Sequence, residues 1–161
     1  MNTIHIAASR EYDVLIGHGL LDELGTLAAG VVDAKTAAIV SDDSVFALYG
    51  KRAAAALERA GFRVVSFVFP HGEGSKNLTV YGQVLNFLCE NRVSRTDVVV
   101  ALGGGVVGDL AGFAAATILR GVDFVQIPTT LLAQVDSSVG GKVAVDLKAG
   151  KNLAGAFWQP R

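Results

Sequence analysis

The chain has 161 residues, 51% hydrophobic and 18% charged, with 14 Lys and Arg against 15 Asp and Glu for a net charge of -1. A chain of that length fits one domain, or one large piece of a two-domain protein, and can bury about 70% of its unfolded surface. The composition excludes a disordered chain, the balanced charge offers no basic patch for nucleic acid, and no apolar run reaches the ~18 residues of a membrane span.

The start, Met1-Asn2-Thr3-Ile4-His5-Ile6, has neither the charged n-region nor the apolar h-region of a signal peptide. Thr3 to Ala7 and Tyr12 to Ile16 read as short strands, with Ser9-Arg10-Glu11 as a hairpin loop. Gly17-His18-Gly19 breaks the pattern, and Leu20, Leu21, Leu24 and Leu27 recur at helical spacing. Thr36 to Val40 is the next strand. It ends in Ser41-Asp42-Asp43-Ser44, whose oxygens suit the first free N–H groups of a helix. That helix is expected from Val45 to Ala60 and stops at Gly61.

Arg63 to Phe69 reads as a strand and Pro70-His71-Gly72-Glu73-Gly74-Ser75-Lys76 as its loop. A helix follows from Asn77 to Asn91, with Leu78, Leu85 and Leu88 on its apolar face. The single Cys89 lies in it, where a small buried hydrophobe is expected, and one cysteine fits a reducing compartment. Asp97 to Leu102 is an apolar strand that empties into Gly103-Gly104-Gly105-Val106-Val107-Gly108-Asp109, followed by a helical pattern from Leu110 to Thr117. Gly121-Val122-Asp123 closes that helix. Phe124 to Ile127 is another strand, and Pro128-Thr129-Thr130 opens a helical segment through Val135 that Gly140-Gly141 ends. Lys142 to Leu147 and Lys151 to Phe157 form a hairpin around Lys148-Ala149-Gly150. Strands alternating with helices imply βαβ units and a parallel sheet.

Ligands of such sheets sit at the carboxyl ends of the strands. Four polar, glycine-bearing or hydroxyl-rich loops fall there: Ser41 to Ser44, His71 to Lys76, Gly103 to Asp109 and Pro128 to Thr130. The glycine turn is the strongest of them. Glycine permits positive φ and close approach of backbone to ligand. The helix behind it aims free N–H groups at a phosphate or pyrophosphate. The turn lies mid-chain and reads Gly-Gly-Gly-x-x-Gly-Asp, so it is not the first-turn dinucleotide fingerprint, and no Walker-type lysine follows it.

Asp42 suits either a ribose hydroxyl or a plain helix cap. Glu73 and Lys76 suit either an exposed ion pair of little worth or a nucleotide's sugar and carboxamide. Thr129 and Thr130 cap a helix or donate to phosphate. Asp136-Ser137-Ser138-Val139-Gly140-Gly141-Lys142 is too polar for core. Lys142, Lys151 and Arg120 are candidate partners of phosphate or carboxylate. His71 is read as a solvated loop side chain. His5, His18 and His71 lack metal-ligand spacing.

Gly103 to Asp109, Gly112-Phe113-Ala114-Ala115, Arg120-Gly121, the run Ile127 to Lys142, Gly150-Lys151-Asn152-Leu153 and Gly155-Ala156-Phe157 resemble 3-dehydroquinate synthase over nearly the whole chain. The resemblance implies an α/β domain with a Rossmann-like parallel sheet flanked by helices, short N-terminal strands and a C-terminal hairpin. It implies NAD bound by Asp42, Glu73, Lys76, Gly104, Gly105, Val106, Val107, Gly108, Asp109, Thr129, Thr130, Lys142 and Lys151. Asp136, Lys142 and Asn152 match positions that hold the substrate. Arg120 matches an arginine that reaches a neighbouring subunit's substrate phosphate in a homodimer.

The implied reaction converts 3-deoxy-arabino-heptulosonate 7-phosphate to 3-dehydroquinate and phosphate. It takes a sugar-phosphate substrate in the cytoplasm, with no nucleic acid or membrane partner. It also uses a divalent metal, zinc or cobalt, held in the family by a glutamate and two histidines of a C-terminal helical domain. Residues 1–161 are therefore expected to be the N-terminal NAD-binding domain, which retains nucleotide-binding surface but does not turn over. The sequence departs from the family at Ser41 to Ser44, which lacks the usual Thr-Asn, at Val143 for a threonine, and at Trp158 for His or Tyr. The nearest other reading is a related sugar phosphate cyclase; the Gln134 to Lys142 run argues against a metal-dependent alcohol dehydrogenase, and a non-catalytic nucleotide-binding or interaction module is the reading from a different class.

Overall fold

The computed structural model describes residues 1–161. Strands β1 (Asn2–Ile6) and β2 (Tyr12–Ile16) form an antiparallel hairpin. The first strand stops one residue short of the expected Ala7. Helix α1 (Leu20–Ala29) leads to β3 (Thr36–Asp42). Helix α2 spans 43–59 in three continuous parts: an α-turn Asp43–Val45, a π-helical turn Phe46–Gly50 and the α-helix Lys51–Arg59. The π turn is a feature the periodicity does not predict. At Gly50 an added Cβ would lie 2.5 Å from the Phe46 ring, so the missing side chain is what lets that ring fold back on the helix.

Next come β4 (Arg63–Phe69), α3 (Leu78–Glu90), β5 (Val98–Gly103), α4 (Gly105–Thr117) and β6 (Asp123–Pro128). The chain ends in the hairpin of β7 (Lys142–Leu147) and β8 (Gly150–Phe157). Strands β3 to β6 form one parallel sheet in the order β4-β3-β5-β6.

Both faces of this sheet are covered, which is why its strands read as continuous apolar runs. Side chains alternate across a strand. On one face Ala38, Val40, Val99 and Ala101 join Val107, Leu110, Ala111 and Ala114 of α4 and Val84 and Leu88 of α3. On the other, Ala37, Ile39, Val98, Val100 and Leu102 meet Leu24 and Ala28 of α1 and Ala53, Ala56 and Leu57 of α2. Helix α4 is apolar nearly all round because it is buried on two sides. Its inner face lies on the sheet, and at Gly112 a Cβ would come within 2.3 Å of Val143 on the hairpin.

Cys89 does not take the buried place expected of it; it is exposed. Val84 and Leu88 define the buried stripe of α3, and Cys89 follows Leu88 by about 100° of helical rotation, which turns it to solvent.

The amino ends of the sheet are held by Asp97, only 4% exposed. Its carboxylate accepts the N–H groups of Thr36 at 2.7 Å, Lys35 at 3.2 Å and Ser94 at 2.7 Å. Burial pushes Asp97 up, but these N–H bonds prevail and hold its carboxyl below the usual carboxylate range. Asp97→Ala leaves those donors without their acceptor and is expected to cost about 2 kcal/mol of stability in urea denaturation. Because the folded titration is depressed, the contribution is present at neutral pH and is lost as pH falls through it. The variant and wild type should therefore converge in acid.

Candidate functional site

The strand order reverses between β3 and β5. The crevice outside their carboxyl ends is where open α/β sheets hold ligands. The four loops singled out in the sequence all end up on this edge, after β3, β4, β5 and β6.

The glycine turn is built differently from expectation. None of Gly103, Gly104 and Gly105 has a positive φ. Their absent side chains instead spare the neighbours, which leave no room at Gly103 and a tight fit at Gly104 and Gly105. A Cβ would stand 2.4 Å from Val107 Cγ2 at Gly103, 3.0 Å from Thr130 Cγ2 at Gly104, 3.0 Å from Ser137 Oγ at Gly105 and 2.7 Å from Gln126 Oε1 at Gly108. Helix α4 also begins at Gly105, well before the Leu110 that the small-residue pattern suggests. Glycine's poor helix propensity is overridden by packing of Val107 and Gly108 in the core.

The N-cap Gly104 supplies no side-chain hydrogen bond. The first intrahelical bond runs from Gly108 N to Gly104 O, so the N–H groups of Gly105, Val106 and Val107 precede the helical ladder. The turn is tied to β6 by the Thr129 N–H donating to Gly103 O at 3.0 Å. Beside it, Thr129 Oγ1 and Ser137 Oγ are buried without a hydrogen-bond partner. Free N–H groups, the positive end of a helix dipole and unpaired hydroxyls converge on one spot, which is the donor set a pyrophosphate needs. Val107 is itself fully buried and has only its N–H to offer.

Of the two readings of Glu73 and Lys76, the exposed ion pair does not hold for Lys76. Its side chain is 6% exposed. Its Nζ lies 2.8 Å from Asn152 Oδ1, 3.2 Å from Asp109 Oδ2, 3.4 Å from Glu73 Oε1 and 3.8 Å from Asp146 Oδ1. Lys151 adds an outer pair to Glu73 at 3.2 Å. Burial pushes Lys76 down, but Asp109, Glu73 and Asp146 outweigh it and hold the ammonium above the ordinary lysine range. Burial pushes Asp109 up; Lys76 pulls it back, while Glu73 and Asp146 add to the rise, and the carboxyl ends above the usual range. Burial is the leading cause of that rise, and the other two carboxylates around the one ammonium add to it.

A carboxyl with a raised folded titration stabilises the fold below its unfolded value and loses that contribution as pH rises through the folded one. Asp109→Asn should therefore be no less stable than wild type at pH 7. The wild-type minus variant difference in melting temperature should move in favour of wild type on acidification.

The structure thus gathers Glu73, Lys76, Asp109, Lys151 and Asn152 into one network and sets Gly103 to Gly105 against Thr129 and Thr130. Other candidates stand apart. Asp42 is a helix cap whose Oδ1 accepts the Val45 N–H at 2.8 Å. Thr130, although it packs against Gly104, uses its Oγ1 to accept the Ala133 N–H at 3.2 Å. Asp136 and Lys142 are exposed and bond no other candidate side chain. Arg120 is exposed at the far end of α4, about 20 Å along the helix from the turn.

Two participants were not singled out from the sequence as site residues. Asp146 joins the lysine network from β7. Asp43 accepts the backbone N–H of His71 at 3.0 Å and pairs with its Nδ1 at 2.7 Å, linking the loops after β3 and β4. The composition of those loops pointed to the edge but not to this pair. For Asp146, strand alternation beside buried Val143 and Val145 was the available signal.

Comparison with known proteins places this geometry in a family. A 3-dehydroquinate synthase from Pelotomaculum thermopropionicum is 49% identical over 162 residues, covering all of this chain and 44% of the relative. The chain thus spans less than half the length of the relatives it matches. Among solved structures, 2-deoxy-scyllo-inosose synthase complexed with carbaglucose-6-phosphate, NAD+ and Co2+ superposes with a TM-score of 0.91 at 29% identity. That match covers 99% of this chain and 43% of the other. A 2-epi-5-epi-valiolone synthase from Streptomyces hygroscopicus subsp. jinggangensis 5008, with NAD+ and Zn2+ bound, superposes at 0.82 and 30% identity, covering 98% and 43%. Residues 66–161, which carry the lysine network, the glycine turn and the hairpin, match the family model described as 3-dehydroquinate synthase N-terminal, and the chain belongs to the 3-dehydroquinate synthase family.

Proposed function

We propose that residues 1–161 are the NAD-binding domain of a 3-dehydroquinate synthase, the cytoplasmic enzyme that converts 3-deoxy-arabino-heptulosonate 7-phosphate to 3-dehydroquinate and phosphate. The observation that carries the reading is the uncapped start of α4 beside the unpartnered Thr129 Oγ1, at the point where strand order reverses. The N–H groups of Gly105, Val106 and Val107 hold the pyrophosphate, with Gly104, Gly108 and Asp109 shaping the cradle and Thr129, Thr130 and Lys142 closing it. Asp42 at the end of β3 takes the adenosine ribose. Glu73, Lys76 and Lys151 orient the nicotinamide end. NAD+ supplies a hydride acceptor that is restored within each turnover.

Asp136, Lys142 and Asn152 hold the sugar phosphate next to the nicotinamide. Arg120, exposed at the opposite end of α4, reaches the substrate phosphate of a neighbouring subunit in a homodimer. The chain has no group of three or more His, Cys, Asp or Glu able to hold a metal ion. The family resemblance assigns the divalent metal to a glutamate and two histidines of a C-terminal helical domain. No helix is long and apolar enough to cross a membrane.

Amide NMR tests the placement. NAD+ should shift the Gly104 to Val107 and Thr130 resonances most strongly. Shifts confined to the N-terminal hairpin or to α1 would overturn the assignment.

A further inference from the structure

A closed ring of hydrogen bonds runs through Asp146, Asn152 and Lys76. The Asp146 N–H donates to the Lys76 carbonyl at 2.9 Å. Lys76 Nζ donates to Asn152 Oδ1 at 2.8 Å. The Asn152 N–H donates to Asp146 Oδ1 at 2.8 Å. Each link joins a different pair of residues, so the ring fixes the loop after β4 against the turn of the β7–β8 hairpin.

Asn152 sits in this ring with φ 56, the left-handed region. Asn tolerates that region better than most residues, yet the conformation persists only where the surroundings impose it. The Asp146 carboxylate, 19% exposed, is the group that accepts the Asn152 N–H. Asp146 also lies at the irregularity in β7–β8 pairing between Val145 and Leu147. The other carboxylates around Lys76 do not substitute for it. Glu73 is shared with Lys151, and Asp109 comes from α4; neither is bonded to the backbone of Asn152.

We propose that Asp146 is a positioning residue, clamping Asn152 in its left-handed conformation so that the Asn152 amide and the Lys76 ammonium are presented together to nucleotide and substrate. This rests on the reading above, in which Lys76 touches the nucleotide and Asn152 the substrate. Asp146 touches neither. It joins the two halves of the site by holding the residues that do.

Three variants separate the position of the acceptor from its charge. Asp146→Ala removes both, Asp146→Asn keeps Oδ1 and loses the charge, and Asp146→Glu keeps the charge and displaces the oxygen by one methylene. In Asp146→Ala, NMR hydrogen exchange at the Asn152 amide should accelerate at least about tenfold, and the NAD+ Kd from calorimetry should weaken about tenfold. Asp146→Glu should behave like alanine, and serves as the folded comparison if alanine does not fold. Asp146→Asn should recover both values to within about threefold.

Unchanged Asn152 exchange in Asp146→Ala and Asp146→Glu overturns the clamp, whatever happens to NAD+. Faster exchange with unaltered NAD+ affinity overturns the positioning role, as does rescue by Glu rather than Asn. If the wild-type chain binds no NAD+, the nucleotide reading itself fails, and the exchange comparison still decides the clamp.

Discussion

Gly105→Val is expected to weaken NAD+ binding at least about a hundredfold, close to 3 kcal/mol, with the fold retained. Gly105 is the first residue of α4, and a Cβ there already stands 3.0 Å from Ser137 Oγ. The two further methyl groups of valine fill the gap between the helix start and the turn that carries Ser137. That gap is where the pyrophosphate must meet the free N–H groups. The fold survives because the crowding is against one serine in a half-exposed turn, not against the sheet. Calorimetry with NAD+ reads the affinity, and circular dichroism with thermal melting reads the fold. Unchanged affinity would make the turn a purely structural connection between β5 and α4.

Lys76→Met should have the largest effect on stability. It removes the one ammonium inside a ring of Glu73, Asp109 and Asp146 and leaves three carboxylates facing an apolar thioether. Deleting one partner of a buried ion pair costs about 3–5 kcal/mol. Glu73 is 44% exposed and relieved by Lys151, so the lower end applies, about 3 kcal/mol or roughly 6–12 °C in melting temperature for a chain of this size. The pH dependence distinguishes this from loss of packing. With no ammonium to pull it back, the Asp109 carboxyl, already above the usual range, rises further in the folded state. The penalty therefore grows as pH rises through that titration and shrinks on acidification. A deficit that stays constant from pH 4 to pH 8 would place the effect in packing alone. Lys76→Arg should restore part of the stability, because it keeps the charge but not the fit to Asn152 Oδ1.

How much of this was legible in the amino-acid order depended on what kind of signal each feature left. The parallel sheet was legible because both its faces are buried, so β3 and β5 are unbroken apolar runs separated by capped, helical stretches. The edge that carries the site was legible because the loops after β3 to β6 are each rich in glycine, hydroxyl or charged residues. The resemblance carried from Gly103 to Lys142 then named the cargo.

What escaped was set by contacts across the fold. The glycines of the turn announced close approach, but their reason is Val107, Thr130, Ser137 and Gln126, none of which a local reading pairs with them. Lys76 stood open between an exposed pair with Glu73 and a nucleotide contact, because a local reading cannot show its burial. Its burial comes from α4 and the β7–β8 hairpin, both distant in sequence. Asp146 left almost no trace, since one aspartate near the end of a strand has many uses. Asp42 stood open between cap and ribose ligand. The structure shows the cap, whose Oδ1 accepts one N–H and retains capacity for another donor.

The most direct test of the account is a calorimetric titration of NAD+ into the 161-residue chain, repeated with Gly105→Val. Saturable one-site binding by the wild type and its loss in the variant are the predicted results. Absence of binding by the folded wild-type chain, or equal affinity in the two proteins, would contradict a nucleotide site at the start of α4.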